Sequence, residues 1–130
     1  MKKLSRNSSG KTALRFPKGE IKAGVAGSFF RRMFGLSFRR RPIGNEGLLF
    51  VFPRAGQRVF WNFGMRFPID VIWMNGGKII GVQKNIPAMS EGVKLFMPSD
   101  KADSALEIPA GSADMIGAGV GDTINAIHER

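Results

Sequence analysis

Apolar residues come in short bursts along this chain, and most of the bursts have the two-residue rhythm of strands. Ile21-Lys22-Ala23-Gly24-Val25 alternates like a half-buried strand. Gly47-Leu48-Leu49-Phe50-Val51-Phe52 is a continuous apolar run ended by Pro53, and Gln57 to Trp61 follows after a predicted turn at Arg54-Ala55-Gly56. Ile69 to Met74 reads as another strand. Asn75-Gly76-Gly77 behind it is a hairpin signal, because these residues tolerate positive φ, so Lys78 to Val82 is expected to pair back. Ala105 to Ile108 and Thr123 to Ile127 complete the set, the first stopped by Pro109-Ala110-Gly111 and the second fed by Gly119 to Asp122. Residues 85–102 hold two prolines and no clear period, which predicts a long surface connection.

Helical signals are few. Ser28 is placed to cap a short helix through Phe29, Phe30, Met33 and Phe34, ended by Gly35, and Asp114 to Ala118 predicts one helical turn. No stretch is long enough for the helix of a parallel crossover. The expected fold is therefore mostly β: a compact antiparallel β-sandwich or small barrel of about seven strands with one or two short helices. Residues 1–17, rich in Lys, Arg, Ser and Asn, predict a basic flexible arm, and residues 18–130 a single mostly β domain.

Charge changes this picture more than composition does. The chain of 130 residues has a net charge of +10 and no cysteine. Residues 1–42 carry twelve Lys or Arg against Glu20 alone, whereas the remainder carries eight basic and nine acidic side chains. A cationic front on an electrically balanced body would attract a polyanion, RNA or another nucleic acid above all. Arg31, Arg32, Arg40 and Arg41 are the candidate polyanion-binding residues, interleaved with Phe29, Phe30, Phe34 and Phe38. Those phenylalanines have a second reading as core, and the charge itself a second reading as an aid to solubility.

Several chemistries find no support. The absence of cysteine removes disulfides and thiolate metal sites, and a lone His128 near the end leaves no transition-metal set, so no metal or cofactor is expected. Asn7 to Thr12 ends like a phosphate-binding loop, but Ser5 stands where that loop needs glycine. No Gly-x-Ser-x-Gly elbow occurs. The amino terminus turns polar after Lys2 and Lys3, and no apolar run approaches the length of a membrane span, so a cytoplasmic location is expected.

One carboxylate stands out. Asp70 lies between Ile69 and Val71, where burial demands a partner. Two readings follow: a ligand-binding or hydrolytic pocket formed with Arg39, Trp61 and Arg66, or a carboxylate that caps backbone N–H groups at the start of its strand. Trp61 itself reads either as ligand contact or as core. Glu107 is expected on the opposite face from Leu106 and Ile108, with solvent exposure as its simplest fate.

Three groups of residues carry a resemblance. They are Gly35-Leu36-Ser37-Phe38-Arg39; Gly47 to Phe52 with Phe60-Trp61-Asn62-Phe63-Gly64-Met65-Arg66-Phe67-Pro68-Ile69-Asp70; and Leu106 to Gly111 with Gly121-Asp122. Their order and spacing resemble domain of unknown function family 192, an uncharacterised family of bacteria and archaea, over roughly residues 20–127. The Met65 to Ile72 stretch looks closest to archaeal members. The family's Gly-Leu-Met-x-Arg pattern stands here with Ser37 in the methionine place. Its bacterial Phe-Trp-Met-Lys-Asn-Thr run keeps only Phe60 and Trp61. The resemblance implies a compact β-sandwich or barrel and brings no activity, cofactor or catalytic residue. Whether the chain is an enzyme, and its oligomeric state, stay open at this stage. Two functions are carried forward: a polyanion-binding module, and a small-molecule or hydrolytic protein with its pocket near Trp61, Arg66 and Asp70.

Overall fold

The computed structural model describes residues 11–26, 45–62 and 65–127. The predicted helix from Ser28 and the arginines Arg31, Arg32, Arg39, Arg40 and Arg41 lie outside the described residues. In chain order the strands are β1 (Lys11–Phe16), β2 (Gly19–Ala26), β3 (Glu46–Gly56), β4 (Phe60–Trp61), β5 (Ile69–Asn75), β6 (Lys78–Ile86), β7 (Leu95–Phe96), β8 (Ala102–Pro109) and β9 (Asn125–Ile127). One short helix, α1 (Ser112–Met115), follows β8. The protein is mostly β, as its apolar rhythm predicts.

Seven strands form one sheet in the order β6-β5-β8-β3-β2-β1-β9, and β4 pairs with β7 in a separate ribbon. The large sheet curls into a half-barrel. Its two edges meet because the segment ahead of β9 laces onto the β5–β6 hairpin. Gly121 N–H donates to the Ile79 carbonyl at 2.9 Å, and Ile124 N–H donates to Gly77 at 2.7 Å. Such lacing removes part of the edge that an open sheet exposes to other chains. Within this largely antiparallel sheet, β2 and β3 run parallel, with Val25 opposite Leu49.

Alternation along the central strands produces two cores. Leu14, Phe16, Ile21, Val25, Leu49, Val51, Ile72, Met74, Leu106 and Ile108 face the inside of the curl. Leu48, Phe50, Ile69, Val71 and Trp73 face the other side, where the β4–β7 ribbon covers them. Because both faces of β3, β5 and β8 are buried, these strands read as continuous apolar runs rather than clean alternation. Phe60 is the ribbon's anchor. Its ring centroid lies 5.1 Å from Trp73, 5.3 Å from Phe50 and 5.8 Å from Phe96, distances at which tilted and edge-on rings attract.

Some expectations need correction. The last residues of the predicted arm are not an arm: Lys11–Phe16 is a strand with Leu14 and Phe16 buried against β2. Thr12, Leu14 and Phe16 do alternate, but the flanking lysines and Pro17 mask so short a period. The predicted turn at Arg54 to Gly56 is instead the end of β3, which shifts register against β8 between Val51 and Gly56. Pro53 cannot donate to a ladder, so the strand bulges there rather than turning. The predicted surface connection over 85–102 holds a single 3-10 turn (Met89–Glu91) and β7. By contrast, the hairpin signal is met: Gly76 and Gly77 adopt φ of 60° and 77°, the pair of positive values a two-residue turn needs.

Candidate functional site

The chain's charge asymmetry begins on β1 and β2. Side chains alternate across each strand, so with Leu14, Phe16, Ile21 and Val25 turned inward, Lys11, Arg15 and Lys22 are left on the outer surface, all exposed. Lys18 adds a further exposed cation in the turn between them. Of these, Arg15 is neutralised by Glu20 at 2.7 Å. Lys11 opens β1 and Ala26 closes β2 at the same end of the sheet, since Lys11 pairs with Gly24. The chain therefore enters β1 beside the point where residues 27–44 leave β2, whereas that segment rejoins the sheet at Asn45, level with Lys22, because β3 runs parallel to β2.

Asp70 has a different fate from a ligand contact. Its neighbours Ile69 and Val71 belong to the outer core, which turns Asp70 inward at the start of β5. The side chain is 1% exposed, and its carboxylate is filled by backbone donors. Oδ1 accepts from Asn85 N–H, and Oδ2 accepts from both Gly111 N–H and Ala113 N–H, each at 3.0 Å. These bonds tie β5 to the irregular end of β6, where Asn85 has a φ of 56°, and to the first turn of α1. Three amide donors thus take the place of water around the buried carboxylate. The capping alternative is the one the geometry matches.

The other residues of the expected pocket do not converge on it. Arg66 is exposed and forms no ion pair with Asp70, and Arg39 lies outside the described residues. Trp61 is 44% exposed on the outer face of the β4–β7 ribbon, opposite Leu95, while the core tryptophan is Trp73. Trp73 Nε1 donates to Gln83 Oε1 at 2.9 Å, and Gln83 Nε2 donates onward to the Met97 carbonyl at 2.7 Å. Val59 and Met97 flank Trp61 and Leu95 to give the ribbon an apolar outer surface. Glu107 is buried beside Leu48 and Val71 on the neighbouring strands rather than exposed.

Asn62, quoted for the family resemblance, is a structural pin. It is fully buried; Nδ2 donates to the carbonyls of Pro87 and Gly92, and Oδ1 accepts from Lys94 N–H at 2.7 Å. Both side-chain amide hydrogens and the carbonyl oxygen go into holding the loop between β6 and β7.

Sequence reading alone did not reach the concavity at the rim of the barrel, a space of about 420 Å³. The bulge at the end of β3 supplies Pro53, Arg54 and Ala55, the β5–β6 hairpin supplies Gly76 and Gly77, and β8 supplies Asp103 and Ser104. Asp103 and its neighbours form a fixed unit: Oδ2 accepts from Gly76 N–H at 2.9 Å, and Oδ1 from Ser104 Oγ at 3.1 Å. The one available signal was Pro53 inside an otherwise strand-like run, which marks a bulge. A groove of similar volume lies between β6 and β7, lined by Lys84, Lys94 and Leu95 among others.

The sequence profile of DUF192, described as uncharacterized ACR, matches residues 12–126. The chain belongs to DUF192. No curated protein matches it. Among solved structures, this DUF192 chain is similar to a "putative transcription regulator" of Sinorhizobium meliloti 1021, with 22% identity and a TM-score of 0.82 over 92% of this chain and 95% of that one. It is also similar to a protein of unknown function from Novosphingobium aromaticivorans DSM 12444, with 20% identity and a TM-score of 0.76 over 88% and 83% of the two chains. At such identities the likeness shows a shared fold. Among the described residues of this DUF192 chain, no helix is long and apolar enough to cross a membrane.

Proposed function

We propose that the chain is a binding module that holds a polyanion, nucleic acid in the first place, with its basic front. The observation that carries this reading is the separation of charge: twelve cations and one carboxylate in residues 1–42, against a near-neutral remainder. Two features support it. Lys11, Lys18 and Lys22 are exposed on β1, β2 and their turn, and the chain enters β1 beside the point where residues 27–44 leave β2. Cations gathered in one third of the sequence raise the local concentration of an anionic partner. The description of the Sinorhizobium neighbour as a "putative transcription regulator" is in keeping with such a partner.

The pocket alternative loses its motive, because the carboxylate that prompted it is occupied by backbone amides. The cytoplasmic location expected from the amino terminus remains part of this proposal.

The test is fluorescence anisotropy of a labelled single-stranded RNA with the full chain and with a variant in which Arg31, Arg32, Arg40 and Arg41 are glutamine. The full chain should bind at low salt and the variant at least tenfold more weakly, on the order of what four lost phosphate contacts remove. Equal binding by both, or no binding by the full chain at low salt, would overturn the proposal.

A further inference from the structure

We propose that the rim cavity binds a small carboxylic acid with an apolar body, its carboxylate on Arg54. The site is independent of the polyanion reading and uses none of the residues assigned to it. A volume of about 420 Å³ lies within the range of pockets that enclose small molecules. Leu14, Val51, Met74, Ile124 and Ala126 line its depth. These are inward-facing positions of the half-barrel, so the floor is apolar because the barrel interior is apolar.

Polar groups are confined to the rim, and they are not equivalent. Asp103 is engaged by Gly76 N–H and Ser104 Oγ, which makes it part of the wall. Arg54 is different. It is exposed, and its backbone carbonyl accepts from Arg58 Nη2 at 2.7 Å, but no carboxylate of the described residues pairs with its guanidinium. Its position follows from the register shift: on β3 the chain runs from Val51 to Gly56 while β8 moves only from Ser104 to Ala102. The extra residues arch over the cavity mouth and carry Arg54 to its edge. Bulges at barrel rims re-aim side chains in this way.

An apolar floor with one planar cation at its mouth fits a ligand that is greasy at one end and singly anionic at the other. A guanidinium meets a carboxylate through two parallel N–H···O bonds. Asp103 on the same rim disfavours a doubly charged phosphate, whereas the net charge of +10 favours a monoanion over a cation. The site thus selects by head group as well as by shape.

The experiment uses octanoate as probe, with octanol and octylamine for comparison, against the full-length protein. Binding is read by calorimetry and by the methyl resonances of Met74 and Ile124. Octanoate should shift both methyls, and Arg54→Gln should weaken it by about tenfold or more, the worth of a hydrogen bond to a charged group. Because Arg54 is exposed, that variant leaves the fold intact. Ala126→Leu, which fills the floor, should abolish binding. The proposal is overturned if octanoate moves neither methyl, if octanol or octylamine binds as tightly, or if Arg54→Gln binds octanoate like the natural protein.

Discussion

Removing the Asp70 carboxylate should loosen one end of the barrel, and the structure sets the scale of the effect. Asp70→Ala strands the N–H groups of Asn85, Gly111 and Ala113, each of which now donates at 3.0 Å. An unsatisfied buried donor costs about 1–3 kcal/mol. The Ala113 amide is bonded in a buried setting, whereas the Asn85 and Gly111 bonds are partly accessible to water. The expected loss is therefore roughly 3–5 kcal/mol, a large part of the ~5–15 kcal/mol that holds a domain together. For a chain of this length that corresponds to a fall in Tm of about 10–18 °C. Asp70→Asn keeps one acceptor oxygen and should lose about half as much. Urea and thermal unfolding followed by near-ultraviolet signal from Trp73 measure both. If Asp70 instead served a ligand at the expense of stability, its removal would be neutral or stabilising. A Tm for Asp70→Ala within about 3 °C of the natural protein would refute the argument.

Further perturbations probe other joints. Gly47→Ala should destabilise by about 1–3 kcal/mol, seen as a lower urea midpoint. A Cβ there would sit 2.9 Å from Ile108 Cγ2 and 3.0 Å from the Glu107 carbonyl oxygen, and the backbone atom cannot move aside. The Lys84–Asp114 contact of 2.6 Å predicts a pH effect. The hydrogen bond and charge of Asp114 hold the Lys84 ammonium above its ordinary value of 10.5. Whatever stability the pair adds is then fully present below that value and lost as pH rises through the raised one. Both side chains are exposed, so the gain is small. Natural protein and Asp114→Asn, compared by urea unfolding at neutral and strongly alkaline pH, should converge at the alkaline end. A difference that survives there would contradict the assignment.

Strand rhythm makes much of the β framework legible in the sequence. Leu48 to Phe52 and Ile69 to Met74 announced central strands because both of their faces are buried, and Asn75-Gly76-Gly77 announced the hairpin because its backbone needs positive φ. Lys11 to Phe16 was hidden by its exposed cations: only Ala13, Leu14 and Phe16 are buried, too few to set a period. The β4–β7 ribbon was also out of reach, because it joins residues more than thirty positions apart with two residues on each side. The fate of Asp70 was readable only as a choice between two roles. Which one holds depends on Asn85, Gly111 and Ala113, whose amides are brought together by tertiary structure alone. The rim cavity had no sequence signal beyond Pro53, since its walls come from four separate strands and a hairpin.

The salt dependence of RNA affinity bears most directly on the idea that a cationic front recruits the partner of a balanced barrel. If it does, log Kd plotted against log salt between about 50 mM and 200 mM should be a straight line, with a slope that shrinks by about 0.7 for each front cation replaced. A slope near zero, or one that charge removal from residues 1–42 leaves untouched, would contradict it.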